Sequence, residues 1–103
     1  ITGILNLDPK PNEIIIVNDG STDDTLKILN KYKNNITIFN LAKNMGLPHA
    51  RNIAIKNSKN NIVAALDSDV VPEKTWLLNI YFYNNWIYIV NTKQIKNCFL
   101  FID

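Results

Sequence analysis

The chain has 103 residues, 47% of them hydrophobic, with 11 basic and 9 acidic side chains and a formal net charge of +2. That length suits one small domain, and the apolar content is ample for a core. The charges are scattered, so no basic stripe marks a nucleic-acid partner; Cys98 stands alone, which excludes an internal disulfide, and no run approaches the roughly 18 apolar residues of a membrane span.

Ile1 to Leu7 carries apolar residues at 1, 4, 5 and 7, a helical spacing that Asp8-Pro9-Lys10-Pro11-Asn12 breaks. Glu13 to Val17 is a β-branched run bounded by turn residues, which predicts a buried strand. It ends in Asn18-Asp19-Gly20-Ser21, where Gly20 permits a sharp exit and Ser21 with Asp24 makes a capping-box-like helix start. Leu26, Leu29 and Tyr32 then predict an amphipathic helix of about three turns, ending near Lys33-Asn34-Asn35. Ile36 to Phe39 supplies a second strand, and Asn40 to Met45 a polar loop. Gly46-Leu47-Pro48 opens the next helix, with Ala50, Ile53 and Ala54 as its buried stripe and His49, Arg51, Asn52 and Lys56 off it.

Ile62 to Leu66 has no polar face, the pattern of a strand covered on both sides, and it stops at Asp67-Ser68-Asp69. Glu73 to Phe82 reads as a helix with Trp76, Leu77, Ile80 and Tyr81 on one side, while Trp86 to Val90 and Phe99 to Ile102 read as strands. Strand, helix, strand, helix, strand is the alternation of a mainly parallel α/β sheet with right-handed crossovers. The expectation is a single unit over 1–103, with the motifs in 1–83 and an aromatic tail over 84–103 that would drive association if exposed. No basic stretch leading into an apolar run opens the chain, which therefore reads as soluble and unexported.

Ligands of open parallel sheets bind outside the carboxyl ends of the strands, where Asp67 and Asp69 would project. Two like charges so close are easiest to understand beside a divalent cation, Mg²⁺ or Mn²⁺ being the oxygen-seeking choice; the alternative is a polar turn capping the next helix. G-x-G-x-x-G and G-x-x-x-x-G-K-[ST] are absent, His49 is the lone histidine, and Ser21 lacks a G-x-S-x-G elbow, which excludes two nucleotide classes, a zinc site and a serine hydrolase. Asp19 follows the first strand, Asn44 the second, and Arg51 lies a turn into the second helix. Sharing one rim with Asp67 and Asp69, they would suit a nucleoside diphosphate. Taken singly they are a turn residue, loop polarity and a solvated helix face.

The order of motifs is more specific than any one of them. Glu13 to Val17 with Asn18-Asp19-Gly20-Ser21-Thr22-Asp23-Asp24-Thr25, then Asn44-Met45-Gly46 with Ala50-Arg51-Asn52, then Leu66-Asp67-Ser68-Asp69 and Pro72 to Leu77, closely resembles the nucleotide-sugar-binding part of family 2 glycosyltransferases. The resemblance implies a GT-A fold, a Rossmann-like three-layer αβα sandwich that is incomplete here. It implies a donor-binding fragment for a UDP- or GDP-linked sugar, transferred to a saccharide or lipid-linked acceptor hydroxyl, in the cytoplasm or at the cytoplasmic face of the membrane. By the same resemblance Asp19 would contact the base, Arg51 would lie along the nucleotide, Asp67 would face the ribose and join the metal, and Asp69 would hold Mn²⁺ or Mg²⁺ against the diphosphate. Asn18 stands where the family more often has an acid.

The family opens with a strand of the V-S-I-I-I-P-x-Y-N type, and here only the end of its following helix is matched, by Ile1 to Leu7. The strands ending at Val17 and Leu66 would flank that strand. The expectation is a gap, direct pairing of the two, or a strand supplied by the chain's own tail or by a neighbour. No residue after Phe82 matches the family's general base, and no catalytic residue is assigned. Two other readings are a non-catalytic α/β module that forms a homo-oligomer through its aromatic tail, and an unrelated phosphate-binding domain with Arg51 remote from Asp67.

Overall fold

The computed structural model describes residues 1–60, 63–67, 69–83 and 98–102. In chain order the elements are α1 (Thr2–Leu5), β1 (Ile14–Asn18), α2 (Thr25–Asn30), β2 (Thr37–Asn40), α3 (Leu47–Asn57), β3 (Val63–Asp67), α4 (Trp76–Tyr83) and β4 (Cys98–Ile102). The strands form one sheet in the order β2-β1-β4-β3, and each neighbouring pair is parallel. The tail strand β4 thus lies between β1 and β3, resolving the three alternatives for that position: the chain's own tail fills it. The expected strand over Trp86 to Val90 falls outside the described residues.

All five residues of β1 are buried, because both its neighbours are strands and both its faces are covered. Ile14 and Ile16 join Ile4, Leu7, Leu29, Ile36 and Leu66 on one face, with Tyr32, Trp76 and Leu77 packed against them. Ile15 and Val17 face the other way onto Ala50 and Ala54 of α3. This is the strand's alternation of side chains seen from its two sides. Helices therefore cover both faces: α1, α2 and α4 on one, α3 on the other. Each fully buried isoleucine contributes on the order of 1.5–3 kcal/mol of transfer free energy. Ala50 and Ala54 let α3 sit close to β1, as their small size predicts.

Three expectations are corrected. The run before Asp67 is not covered on both sides: Leu66 is buried but Ala65 is exposed, because β3 ends the strand order and α3 lies over β1 and β4. The helix after β1 starts at Thr25 with Asp24, not Ser21, at its N-cap position, and its last α-helical residue is Asn30; hydrogen-bonded turns carry the chain on to Ile36. Its start is organised by Asp23, whose carboxylate accepts from the Thr25 amide at 2.9 Å and from the Thr25 hydroxyl. Those two donors, the hydroxyl first, hold the exposed Asp23 carboxyl below the usual carboxylate range. Finally, α4 begins at Trp76 and not at Glu73, after a turn closed by the Trp76 amide donating to the Glu73 carbonyl. Asp69 is therefore too far upstream to cap it. No helix among the described residues is long and apolar enough to cross a membrane.

Candidate functional site

Because the strands are parallel, their carboxyl ends lie along one edge of the sheet. The register aligns Val17 with Ile102 and Ile102 with Asp67, while Asn18 pairs with Asn40. At roughly 4.8 Å per strand, Val17 and Asp67 stand about 10 Å apart across β4. Asp19 extends beyond β1 and Asp69 beyond β3 at that same edge. The Val70 amide donates to the Asp67 carbonyl at 3.1 Å, turning the chain after β3 and leaving Asp67 and Asp69 both exposed.

Alternation sends Ala64 and Leu66 to the α1/α2/α4 face and Val63 to the α3 face, so Asp67 leaves β3 on the α3 side. Arg51 meets it there: Nη2 lies 3.6 Å from Asp67 Oδ1, with the two side chains 43% and 65% exposed. That separation is too long for a hydrogen bond, and exposed pairs of this kind add little stability. Arg51 Nε is buried with no hydrogen-bond partner. The guanidinium therefore retains an unused donor at Nε beside an exposed carboxylate.

Asp19 is only 6% exposed. Its Oδ1 accepts from the Met45 amide at 2.7 Å and its Oδ2 from the Gly46 amide at 3.0 Å. Gly46, which the Asn44 side-chain oxygen also contacts at 3.0 Å, is the N-cap of α3. Gly20 has φ +73° and packs against the Lys43–Asn44 backbone so tightly that a Cβ there would come within 2.4 Å of the Asn44 nitrogen. Asn18, also buried, donates from Nδ2 to Asn40 Oδ1 at 2.9 Å and accepts from the Ser21 amide at 3.2 Å. His49 is exposed on α3, as expected of a surface residue.

The structure thus brings Arg51 and Asp67 together, sets Asp69 on the same turn as Asp67, and directs the Asp19 carboxylate into the β2–α3 loop. Sequence reading missed that last bond and the Asn18–Asn40 pair. The signal available for the first was N-D-G before a loop ending in glycine, which marks close backbone approach but not its partner. Among the described residues no three His, Cys, Asp or Glu side chains converge as a cation site of their own. Two exposed carboxylates on one turn do fit an ion that takes one or two protein oxygens and completes its shell from a phosphate.

Comparison with known proteins matches residues 1–86 to a family described as glycosyl transferase family 2. The chain is 38% identical over 76 residues to poly-beta-1,6-N-acetyl-D-glucosamine synthase of Staphylococcus aureus (strain COL), covering 72% of this chain and 18% of that protein. It is 37% identical over 73 residues to the synthase of the same name from Staphylococcus epidermidis, covering 69% of this chain and 18% of that one. The chain thus spans under a fifth of the length of these relatives. No solved structure matches it. With the family match running through all three motifs and both arms of the parallel sheet edge, the chain belongs to glycosyl transferase family 2 and carries part of its GT-A fold.

Proposed function

We propose that this chain forms the donor end of a glycosyltransferase, binding a nucleotide-linked sugar at the carboxyl edge of its sheet. The observation that carries the reading is the approach of Arg51 to Asp67, with Arg51 Nε buried and unpartnered. An arginine held beside an exposed carboxylate, with a donor unpartnered, is a receptor for the oxygens of a diphosphate. Asp67 faces the ribose, Asp69 and Asp67 hold Mn²⁺ or Mg²⁺, and Asp19 belongs to the base end of the same site. When bound, the ion supplies positive charge to the diphosphate as it departs.

The reaction is displacement at the anomeric carbon. An acceptor hydroxyl oxygen forms a bond to that carbon, the carbon–oxygen bond to the diphosphate breaks, the nucleoside diphosphate leaves with the electron pair, and the hydroxyl proton passes to a base. This chain's residues are assigned to holding and orienting the donor, and none to taking the proton. The names of the relatives point to N-acetylglucosamine as the sugar and to a saccharide as acceptor; the carrier proposed is UDP or GDP.

Calorimetric titration of UDP, GDP and their N-acetylglucosamine conjugates, with and without Mn²⁺, tests the reading. Metal-dependent binding of at least one is expected; a folded sample that binds none of them overturns it.

A further inference from the structure

We infer that the amino edge of the sheet carries a second binding site, for a neutral saccharide, at the end of β1 away from Arg51 and Asp67. A depression of about 490 Å³ lies there between the start of β1, the turn before β2 and the segment after α3. That volume is in the range of small-molecule sites. The inference does not rest on the donor-binding reading: β1 is five residues long, which puts roughly 16 Å between its two ends.

Two local features hold the walls. Glu13 Oε2 accepts from the Lys59 amide at 2.9 Å and from the Asn60 side-chain amide at 2.9 Å, tying the exit of α3 to the start of β1. On the other side the Asn35 and Ile36 amides both donate to the Tyr32 carbonyl, at 2.8 and 3.2 Å, and close the turn that presents Lys33. Ile14 and Ile36, both buried, supply an apolar floor.

The polar lining selects the class of ligand. One carboxylate, from Glu13, and two ammonium groups, from Lys33 and Lys59, come with four asparagine carboxamides and the Thr37 hydroxyl. Carboxamides and hydroxyls each donate and accept, so the lining offers both kinds of partner throughout. A phosphate or carboxylate ligand only accepts and would face Glu13, while a cation would face the two lysines. Groups that donate and accept at once are hydroxyls, and several of them on one rigid frame make a sugar. Lys59 and Asn60 take two of the roughly four acceptor positions of the Glu13 carboxylate, which leaves capacity for a ligand hydroxyl. No aromatic ring lines the depression among the described residues, so the expected affinity is on the order of 1 mM.

The test is titration of the whole chain with maltose and with the N-acetylglucosamine disaccharide, followed by amide NMR. At least one of them is expected to shift the Asn34, Asn35, Lys59 and Asn60 signals together. Asn34→Ala combined with Asn35→Ala, at positions whose φ is not positive, is expected to weaken that binding about fivefold or more and to leave the urea midpoint unchanged. No shift with either sugar at about 20 mM overturns the inference. So do shifts confined to Asp69 and Val70, equal shifts of the same four residues by inorganic phosphate, or full affinity in the double variant. A chain that binds sugar here and no nucleotide keeps this inference and loses the donor-binding reading; one that binds nucleotide alone does the reverse.

Discussion

Arg51 on α3 and Asp67 at the end of β3 come within 3.6 Å of each other, with Asp69 two residues further along the chain. Their exposure makes the pair a weak stabiliser, so its consequence is for ligand binding. Arg51→Lys keeps the charge but removes the planar fork, and nucleotide affinity is expected to drop about tenfold. The urea midpoint should shift by no more than the equivalent of about 0.5 kcal/mol. A large loss of stability with unchanged affinity would assign Arg51 to the fold.

Gly20 is predicted to tolerate no side chain. With φ at +73° and the Asn44 nitrogen 2.4 Å from an added Cβ, Gly20→Ala must move backbone. The expected cost is about 2 kcal/mol or more, read from urea denaturation. An unchanged midpoint would mean that the β1 exit and the β2–α3 loop are not packed as described.

The tail strand β4 pairs on both sides, with β1 and with β3. Proline in a central strand removes a ladder hydrogen bond and is found there essentially never. Leu100→Pro is therefore expected to destabilise the chain by about 3 kcal/mol or more, seen as loss of a cooperative urea transition. A variant as stable as the parent would remove β4 from the sheet.

Asp23 gives a pH dependence with a definite sign. Its folded pKa is lowered by the Thr25 hydroxyl and amide, so its contribution to the start of α2 is fully present above the unfolded value, about 3.9, and is lost as the pH falls through the lowered one. An NMR titration should follow the Asp23 carboxyl and the Thr25 amide together in the acid range. Thr25→Ala is expected to return the carboxyl toward its ordinary value; an identical titration in that variant contradicts the cause assigned here.

The strands and α3 were legible because their patterns are local. Ile14 to Val17 is β-branched between turn residues, and Ala50, Ile53 and Ala54 repeat at helical spacing. The exposure of Ala65 was not legible, because Ile62 to Leu66 is apolar throughout and only the strand order decides which of its faces is covered. Ser21 matched a cap pattern, but the N-cap position falls at Asp24, and the turn before the helix is closed by the Asp23 carboxylate accepting from the Thr25 amide and hydroxyl. At the site, the D-S-D turn and Arg51 could be recognised as residue types in order, and their meeting follows from parallel strands sharing one edge. The destination of the Asp19 carboxylate could not, since Met45 and Gly46 contribute backbone amides that every residue but proline possesses.

The central claim is that a cation and a diphosphate share the mouth formed by Arg51, Asp67 and Asp69, and paramagnetic broadening by Mn²⁺ reads this directly. Added with UDP or GDP, Mn²⁺ is expected to broaden the Asp69 and Val70 amides and the Arg51 Nε–H. Glu13, Lys59 and Asn60, which are linked at the opposite edge of the sheet, should keep their line widths. Abolition of the effect by Asp69→Asn completes the expected result. Broadening centred on Glu13, or spread evenly over the exposed carboxylates and untouched by Asp69→Asn, would contradict the account.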